Sequence, residues 1–150
     1  MIAVDSNILV YAHRRDSPHH AAAAACVASL AESRPAWAVP WQCLHEFLGV
    51  VTHPRIFAPP STPAEAFEQV EAWLASRSLT LLGEGREHWA TLRSTMEGGG
   101  ALGPRVHDAR IAAICIQHGV RELWTADRDF SRFPGIVVRN PLTPAPRPPA

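Results

Sequence analysis

The chain has no lysine at all: every one of its fourteen basic side chains is Arg. A Gly-Lys-Ser/Thr phosphate loop is therefore excluded. Gly98-Gly99-Gly100, which no strand precedes, reads instead as a helix terminator and mobile loop. Cysteine is scarce too. Cys26, Cys43 and Cys115 make no pair at metal-ligand spacing, and an odd count argues against a disulfide framework. The eight histidines do not restore a zinc site, because His19 and His20 face different ways on a helix and no Cys or His lies at ligand spacing. No apolar run is long enough to span a bilayer, and no basic segment with a cleavage site opens the chain, so a soluble, unexported protein of the reducing cytoplasm is expected. Net charge is missing as well. Fourteen acids cancel fourteen bases, and the global field announces no nucleic-acid partner. There is no internal repeat and no sign of a second domain.

What is present is a regular alternation of short apolar runs and helical patterns. At 150 residues, 47% of them hydrophobic, the chain has one domain's length, expected to bury about 70% of its unfolded surface. Residues 2–5 read as a strand ended by Asp5, and Asn7 to His13 has helical spacing. Ser17-Pro18 reads as a cap and first-turn proline opening an alanine-rich helix to about Ala31. Trp37–Pro40 is a second strand. A helix follows from Gln42 to about Thr52, with Leu44, Phe47, Leu48 and Val51 on one face and Glu46 off it. Thr62-Pro63-Ala64-Glu65 is a capping box for a helix to about Ser76. Leu79–Leu82 is a third strand, and Arg86–Glu97 an amphipathic helix. Pro104 opens a helix closed by Gly119, Leu123–Ala126 is a fourth strand delivering Asp127, and Ile136–Val138 a fifth. The folded domain is expected over 1–142, with 143–150 a proline-rich disordered tail. The alternation predicts an α/β three-layer sandwich with a mainly parallel central sheet. In such sheets, ligands bind outside the carboxyl ends of the strands.

Only five acids are Asp, and four of them (Asp5, Asp108, Asp127 and Asp129) sit where a strand ends or a helix starts. Asp108 opens a helix whose remaining face is almost wholly apolar, so it is expected to point to the active edge of the sheet. Glu46 lies just inside the helix after strand two. Gathered together, Asp5, Glu46, Asp108 and Asp127 repel one another unless protonated or bound to a cation. Mg²⁺ or Mn²⁺, hard ions that take oxygen ligands, are the natural neutralisers. An ion held by few carboxylates suits phosphodiester hydrolysis, where it activates water and stabilises charge on the phosphorus oxygens.

DSNIL near the start, Glu46 within LHEFL, HDARIAA around Asp108 and TADRDF near the end together resemble the PIN-domain ribonucleases, more narrowly the VapC toxins of bacterial toxin–antitoxin pairs. The likeness spans about residues 1–142 in the family's order. It implies a metal-dependent endoribonuclease with Asp5 and Asp108 as metal ligands and Glu46 and Asp127 completing the quartet directly or through water. It further implies that Ser6, Asn7 and Thr125 orient those carboxylates, with Asp129 an additional acid. Structured RNA (tRNA or rRNA) is the implied substrate, a homodimer the implied assembly, and a VapB-like antitoxin, whose tail places an Arg among the acids, the implied inhibitor. Arg14, Arg15, Arg105, Arg110, Arg128 and Arg132 lie close in sequence to the acidic motifs and are candidates for phosphate contacts.

Other readings compete. A PIN nuclease of RNA processing or of single-stranded DNA would share the quartet, and a non-catalytic module could use the acidic pocket to hold a basic peptide. Asp5 alone would serve as a helix cap, Asp108 favours its helix dipole, and Asp129 suits a turn. His107 reads as a pocket-rim residue. Trp37, Trp41, Phe47, Trp73, Trp89 and Trp124 fall mainly at core spacing, which assigns them to packing ahead of nucleobase stacking.

Overall fold

The computed structural model describes residues 1–144. Five short strands, β1 Ile2–Val4, β2 Trp37–Pro40, β3 Leu79–Leu82, β4 Glu122–Trp124 and β5 Val137–Arg139, form one sheet in the order β3-β2-β1-β4-β5, and every pairing is parallel. Six helices connect them: α1 Ser6–His13, α2 His20–Glu32, α3 Trp41–Val51, α4 Pro63–Leu74, α5 His88–Gly99 and α6 Val106–Gln117. Right-handed crossovers place α1–α4, which pack on one another, on one face of the sheet and the α5–α6 pair on the other. The result is the α/β sandwich that the alternation implies. Strand order reverses between β1 and β4, so their carboxyl ends flank a crevice of the kind that binds ligands in open parallel sheets.

Local sequence explains most boundaries. Thr62 accepts the Glu65 backbone N–H at 3.2 Å while the Glu65 carboxylate accepts that of Thr62 at 2.7 Å, the reciprocal pair expected at the start of α4. Gly100, in the left-handed region at φ 59°, ends α5. Two expectations move. Ser17 does not cap α2: its hydroxyl accepts the His19 N–H at 3.1 Å in a local turn, and the helix starts at His20. α5 also continues through Gly98 and Gly99, because Phe133 packs so close that a Cβ at Gly99 would lie 2.4 Å from its ring.

The core is divided by the sheet. On the α1–α4 side, Phe47 is fully buried between Trp73 and His13, with ring centroids 4.8 and 5.3 Å away. Beside β4, Phe130 and Phe133 meet edge to face at 6.2 Å. Trp37 and Trp73 are core residues as expected, but Trp41 and Trp89 are not: they stand 47% and 71% exposed. Of the tail expected over 143–150, residues 145–150 lie outside the described residues.

Candidate active site

Asp5 ends β1 at the point where strand order reverses, and only 3% of it is exposed. A carboxylate there is costly unless donors surround it. The chain supplies them. Asp5 Oδ1 accepts the Ser6 backbone N–H at 2.7 Å and the Cys43 thiol at 3.5 Å. Asp5 Oδ2 accepts the Thr125 hydroxyl at 2.7 Å and Asn7 Nδ2 at 2.9 Å. The first of these bonds is also the N-cap of α1, so the capping role and the site position coincide in one residue.

The other acids attach to this frame. The Ser6 hydroxyl donates to Glu46 Oε2 at 2.8 Å and stands 3.4 Å from Asp5 Oδ1, joining α3 to the end of β1. Thr125 Oγ1 accepts Asn7 Nδ2 and the Asp127 backbone N–H, each at 3.0 Å, while Asn7 Oδ1 accepts the Ala126 N–H at 3.1 Å. Both polar side chains are thereby fully used, and the loop after β4 is fixed against the loop after β1. Asp127 accepts the Asp129 N–H at 2.8 Å, capping the 3-10 turn Arg128–Arg132.

Electrostatics links the acids through Glu46, whose charge acts on both Asp5 and Asp108. Burial pushes the Asp5 carboxyl above its ordinary value, resisted by the Thr125 and Ser6 donors and aided by the Glu46 charge. Burial also raises Asp108, and the charges of Asp127 and Glu46 raise it further, with Arg105 opposing. Asp108, half-buried in the first turn of α6, accepts no hydrogen bond from the described residues. Its charge is opposed by Arg105 alone among the causes that act on it, and is disfavoured by Asp127, Glu46 and Asp129.

A family model described as the PIN domain matches residues 2–136. The chain belongs to the PIN-domain family. Ribonuclease VapC43 of Mycobacterium tuberculosis is 36% identical over 142 residues, covering 95% of this chain and 96% of that protein. Ribonuclease VapC31 of the same species is 35% identical over 143 residues, covering 95% and 100%. Among solved structures, FitAB bound to a DNA fragment superposes with TM-score 0.72 at 20% identity over 98% of this chain and 99% of that one. VapBC2 of Rickettsia felis bound to promoter DNA gives 0.65 at 21% identity over 93% and 98%. The likeness to these structures is one of fold, and they share the PIN architecture described above.

In this PIN domain the Arg candidates divide. Arg105 pairs with Asp129 at 2.8 Å and Arg110 with Glu84 at 2.5 Å, Arg110 also donating to the Gln42 side-chain carbonyl. Arg14 turns away. It lies roughly 12 Å along α1 from Ser6, bound to Asp16 at 2.6 Å, to the Pro59 carbonyl at 3.1 Å and over the Phe57 ring at 4.2 Å. With Arg15 it borders a separate cavity of about 780 Å³, lined also by His13, Ser61 and Gln69, away from the acids. Arg128 is exposed, and Arg132 is half-buried with a buried Nε that has no partner among the described residues. Two residues that the sequence reading passed over also matter. Cys43 donates to Asp5, and Gln42 Nε2 donates to Glu46 Oε1 at 3.3 Å. The Gln42–Glu46 spacing of four on α3 was the available signal for the latter.

Among the described residues, no group of three or more His, Cys, Asp or Glu side chains is placed to hold a metal ion together. The donor set nevertheless fits a hydrated hard cation. It offers carboxylate oxygens only, one of them undonated, and Mg²⁺ ordinarily keeps several waters and uses one or two carboxylates plus substrate phosphate.

Proposed function

We propose that the chain is a divalent-metal-dependent endoribonuclease, the toxin of a toxin–antitoxin pair. Asp5, Glu46, Asp108 and Asp127 are its site acids, and structured RNA (tRNA or rRNA) is its substrate. The observation that carries this is Asp108: a half-buried carboxylate raised by burial and by the charges of Asp127 and Glu46, the same Glu46 that acts on an Asp5 held by four donors. Such a field calls for a positive charge. Asp5 and Asp108 would hold Mg²⁺ or Mn²⁺, with Glu46 and Asp127 contributing directly or through water. Bound there, the ion lowers the pKa of water and neutralises charge developing on the phosphorus oxygens.

The chain's own groups do the rest. The Thr125, Asn7 and Ser6 donors keep Asp5 in one orientation, which is the preorganisation a phosphate site needs. Glu46, oriented by Ser6 and Gln42, or Asp127, oriented by its backbone bonds, takes the proton of the attacking water. Water adds in line to phosphorus, the bond from phosphorus to the 3′ oxygen breaks, and that oxygen leaves protonated. The products carry a 5′-phosphate and a 3′-hydroxyl. The single-stranded loops of folded RNA are the accessible substrates, since paired bases hide their edges.

The named relatives are ribonucleases, one structural neighbour is described as a toxin–antitoxin complex of Klebsiella pneumoniae, and others as VapBC bound to DNA. They support a VapB-like antitoxin as partner, its tail setting an Arg among the acids. A homodimer is proposed on the apolar surface of α4, where Phe67 and Leu74, seven residues apart and on one face, are exposed. Among the described residues no helix is long and apolar enough to cross a membrane.

The test is sequencing of RNA ends after induced expression of the parental protein and of Asp108→Asn. New 5′-phosphate ends confined to the parental sample support the reading. Identical end profiles refute it.

A further inference from the structure

The register of the sheet places one exposed aromatic at the acidic edge. β1 pairs with β2 so that Ile2 meets Trp37 and Ala3 meets Ala38. Continued two residues, the same register sets Pro40 level with Asp5, about 4.8 Å across the ladder. Trp41 is the next residue, and it opens α3. A Cβ added at Gly83 would sit 3.7 Å from Trp41 Cδ1, so the ring stands next to that turn, and it remains 47% exposed. His45, one turn further along, flanks it with ring centroids 6.1 Å apart and planes tilted by 38°. Trp41 and His45 therefore form a ring-bearing strip beside the strip that carries Gln42 and Glu46, about 100° round the same helix.

The charges nearby make such a strip useful. Arg105 and Arg110, the guanidinium groups bonded around the acidic edge, are already paired with Asp129 and Glu84. Arg128, exposed beside Asp127, can meet a phosphate, and stacking on an aromatic face adds binding that does not depend on charge balance. We propose that Trp41, flanked by His45, is the platform on which an unpaired nucleobase of the substrate strand stacks beside the scissile phosphate, making residue 41 a determinant of substrate position and base preference. This rests on the nuclease reading above.

The experiment uses the RNA whose ends the parental protein generates, fluorescein-labelled, in Mg²⁺ or Mn²⁺. Trp41→Ala is expected to raise KM about 10-fold, the scale of one lost base stack, with a much smaller change in kcat. Trp41→Phe, which keeps a ring, should stay within about 3-fold of the parent. Trp89→Ala, a more exposed Trp in the first turn of α5, serves as the control and should match the parent. Replacing the stacked nucleotide by an abasic one should erase the difference between Trp41→Ala and the parent. Parental KM in Trp41→Ala overturns the platform while leaving the nuclease reading intact, as does a loss that persists at every abasic position. A change in dimerisation or antitoxin affinity with unchanged KM assigns the ring to a protein partner and likewise overturns it. If the parental protein cuts no RNA with either ion, the nuclease reading fails, and the platform with it.

Discussion

Replacing Thr125 by Val removes one oxygen and almost no volume, so its consequences isolate the bonds that this oxygen makes. Thr125 is 1% exposed. Its hydroxyl donates to Asp5 at 2.7 Å and accepts from Asn7 and the Asp127 N–H. The bond to a buried carboxylate is charge-assisted, worth about 1.5–3 kcal/mol. The Asp127 N–H, in an exposed loop, can turn to water and adds little. Thr125→Val should therefore cost about 2–3 kcal/mol, which in a chain of this size lowers Tm by roughly 5–10 °C. Thr125→Ser keeps the hydroxyl and loses one methyl group, about 1 kcal/mol, and should recover most of the difference. Because Thr125 holds Asp5 in place, cleavage should also fall by roughly 10–100-fold in the Val variant.

The pH dependence gives an independent check. The folded-state carboxyl of Asp5 is raised above 3.8 by burial, so its ionisation costs stability. That cost is absent well below 3.8 and complete above the folded value. Removing the Thr125 donor raises the carboxyl further and enlarges the cost. The penalty of Thr125→Val should thus shrink as pH falls through the raised folded-state value of Asp5 toward 3.8. Guanidinium denaturation followed by Trp fluorescence at several pH values measures it. A Val variant within about 0.5 kcal/mol of the parent at neutral pH, a Ser variant as damaging as Val, or a gap that widens in acid would each refute the reasoning.

Asp108→Asn removes a carboxylate that burial, Asp127 and Glu46 all disfavour. Cleavage should drop by at least about 100-fold, while neutral-pH stability is kept or rises by up to about 1 kcal/mol after solvent screening. The gain should vanish in acid, where the parental carboxyl is protonated; a large loss of Tm would contradict it. EDTA should stop cleavage and Mg²⁺ or Mn²⁺ restore it, and a saturating ion at 100 times its Kd should stabilise the parental fold by about 2.7 kcal/mol. That thermal shift should be absent in Asp108→Asn, and an equal shift in both proteins would place the ion elsewhere. Phe47→Ala, which empties the site between Trp73 and His13, should cost about 3–5 kcal/mol and leave little folded protein on expression, as a circular-dichroism melt of the soluble fraction would show. An Arg-bearing antitoxin-tail peptide and Mn²⁺ should each weaken the other's binding by the same factor. Titration calorimetry showing independent binding would dismiss the shared site.

The acids were legible because each stands at a boundary that local sequence marks: Asp5 after an apolar run, Asp108 after Pro104, Asp127 after Leu-Trp-Thr. Parallel strands present their carboxyl ends together, which sets Asp5 and the loop carrying Asp127 at one edge of the sheet. The strands Trp37–Pro40 and Leu79–Leu82 were legible for the same reason, as short apolar runs between helical patterns. What sequence did not reveal depends on how surfaces meet. Spacing assigned Trp41 to packing, yet at the start of α3 its ring is left half exposed to solvent. Arg14 stands beside the first motif in sequence, but a helix carries it away and Asp16 claims its charge. The Cys43 bond to Asp5 joins β1 to α3, and nothing in the order of residues signals which buried thiol lies under which carboxylate.

Why an acid should interrupt the first strand now has a physical answer. Four donors hold Asp5, and still its carboxyl is raised, so the donors fix its geometry without relieving its charge. Asp108 has no donor among the described residues and is raised for the same cause, with like charges added. A protein selecting only for stability would protonate, pair or replace such groups, since isosteric apolar packing is usually neutral or better at a buried charged site. Here Arg105, the guanidinium group that acts on Asp108, is itself bonded to Asp129, and Arg110 on the same helix as Asp108 is bonded to Glu84. The unmet demand is therefore left facing the crevice, where a cation, a proton or a partner's arginine can each answer it. Activity, pH response and inhibition then follow from one field, and a variant that weakens this field should weaken all three together.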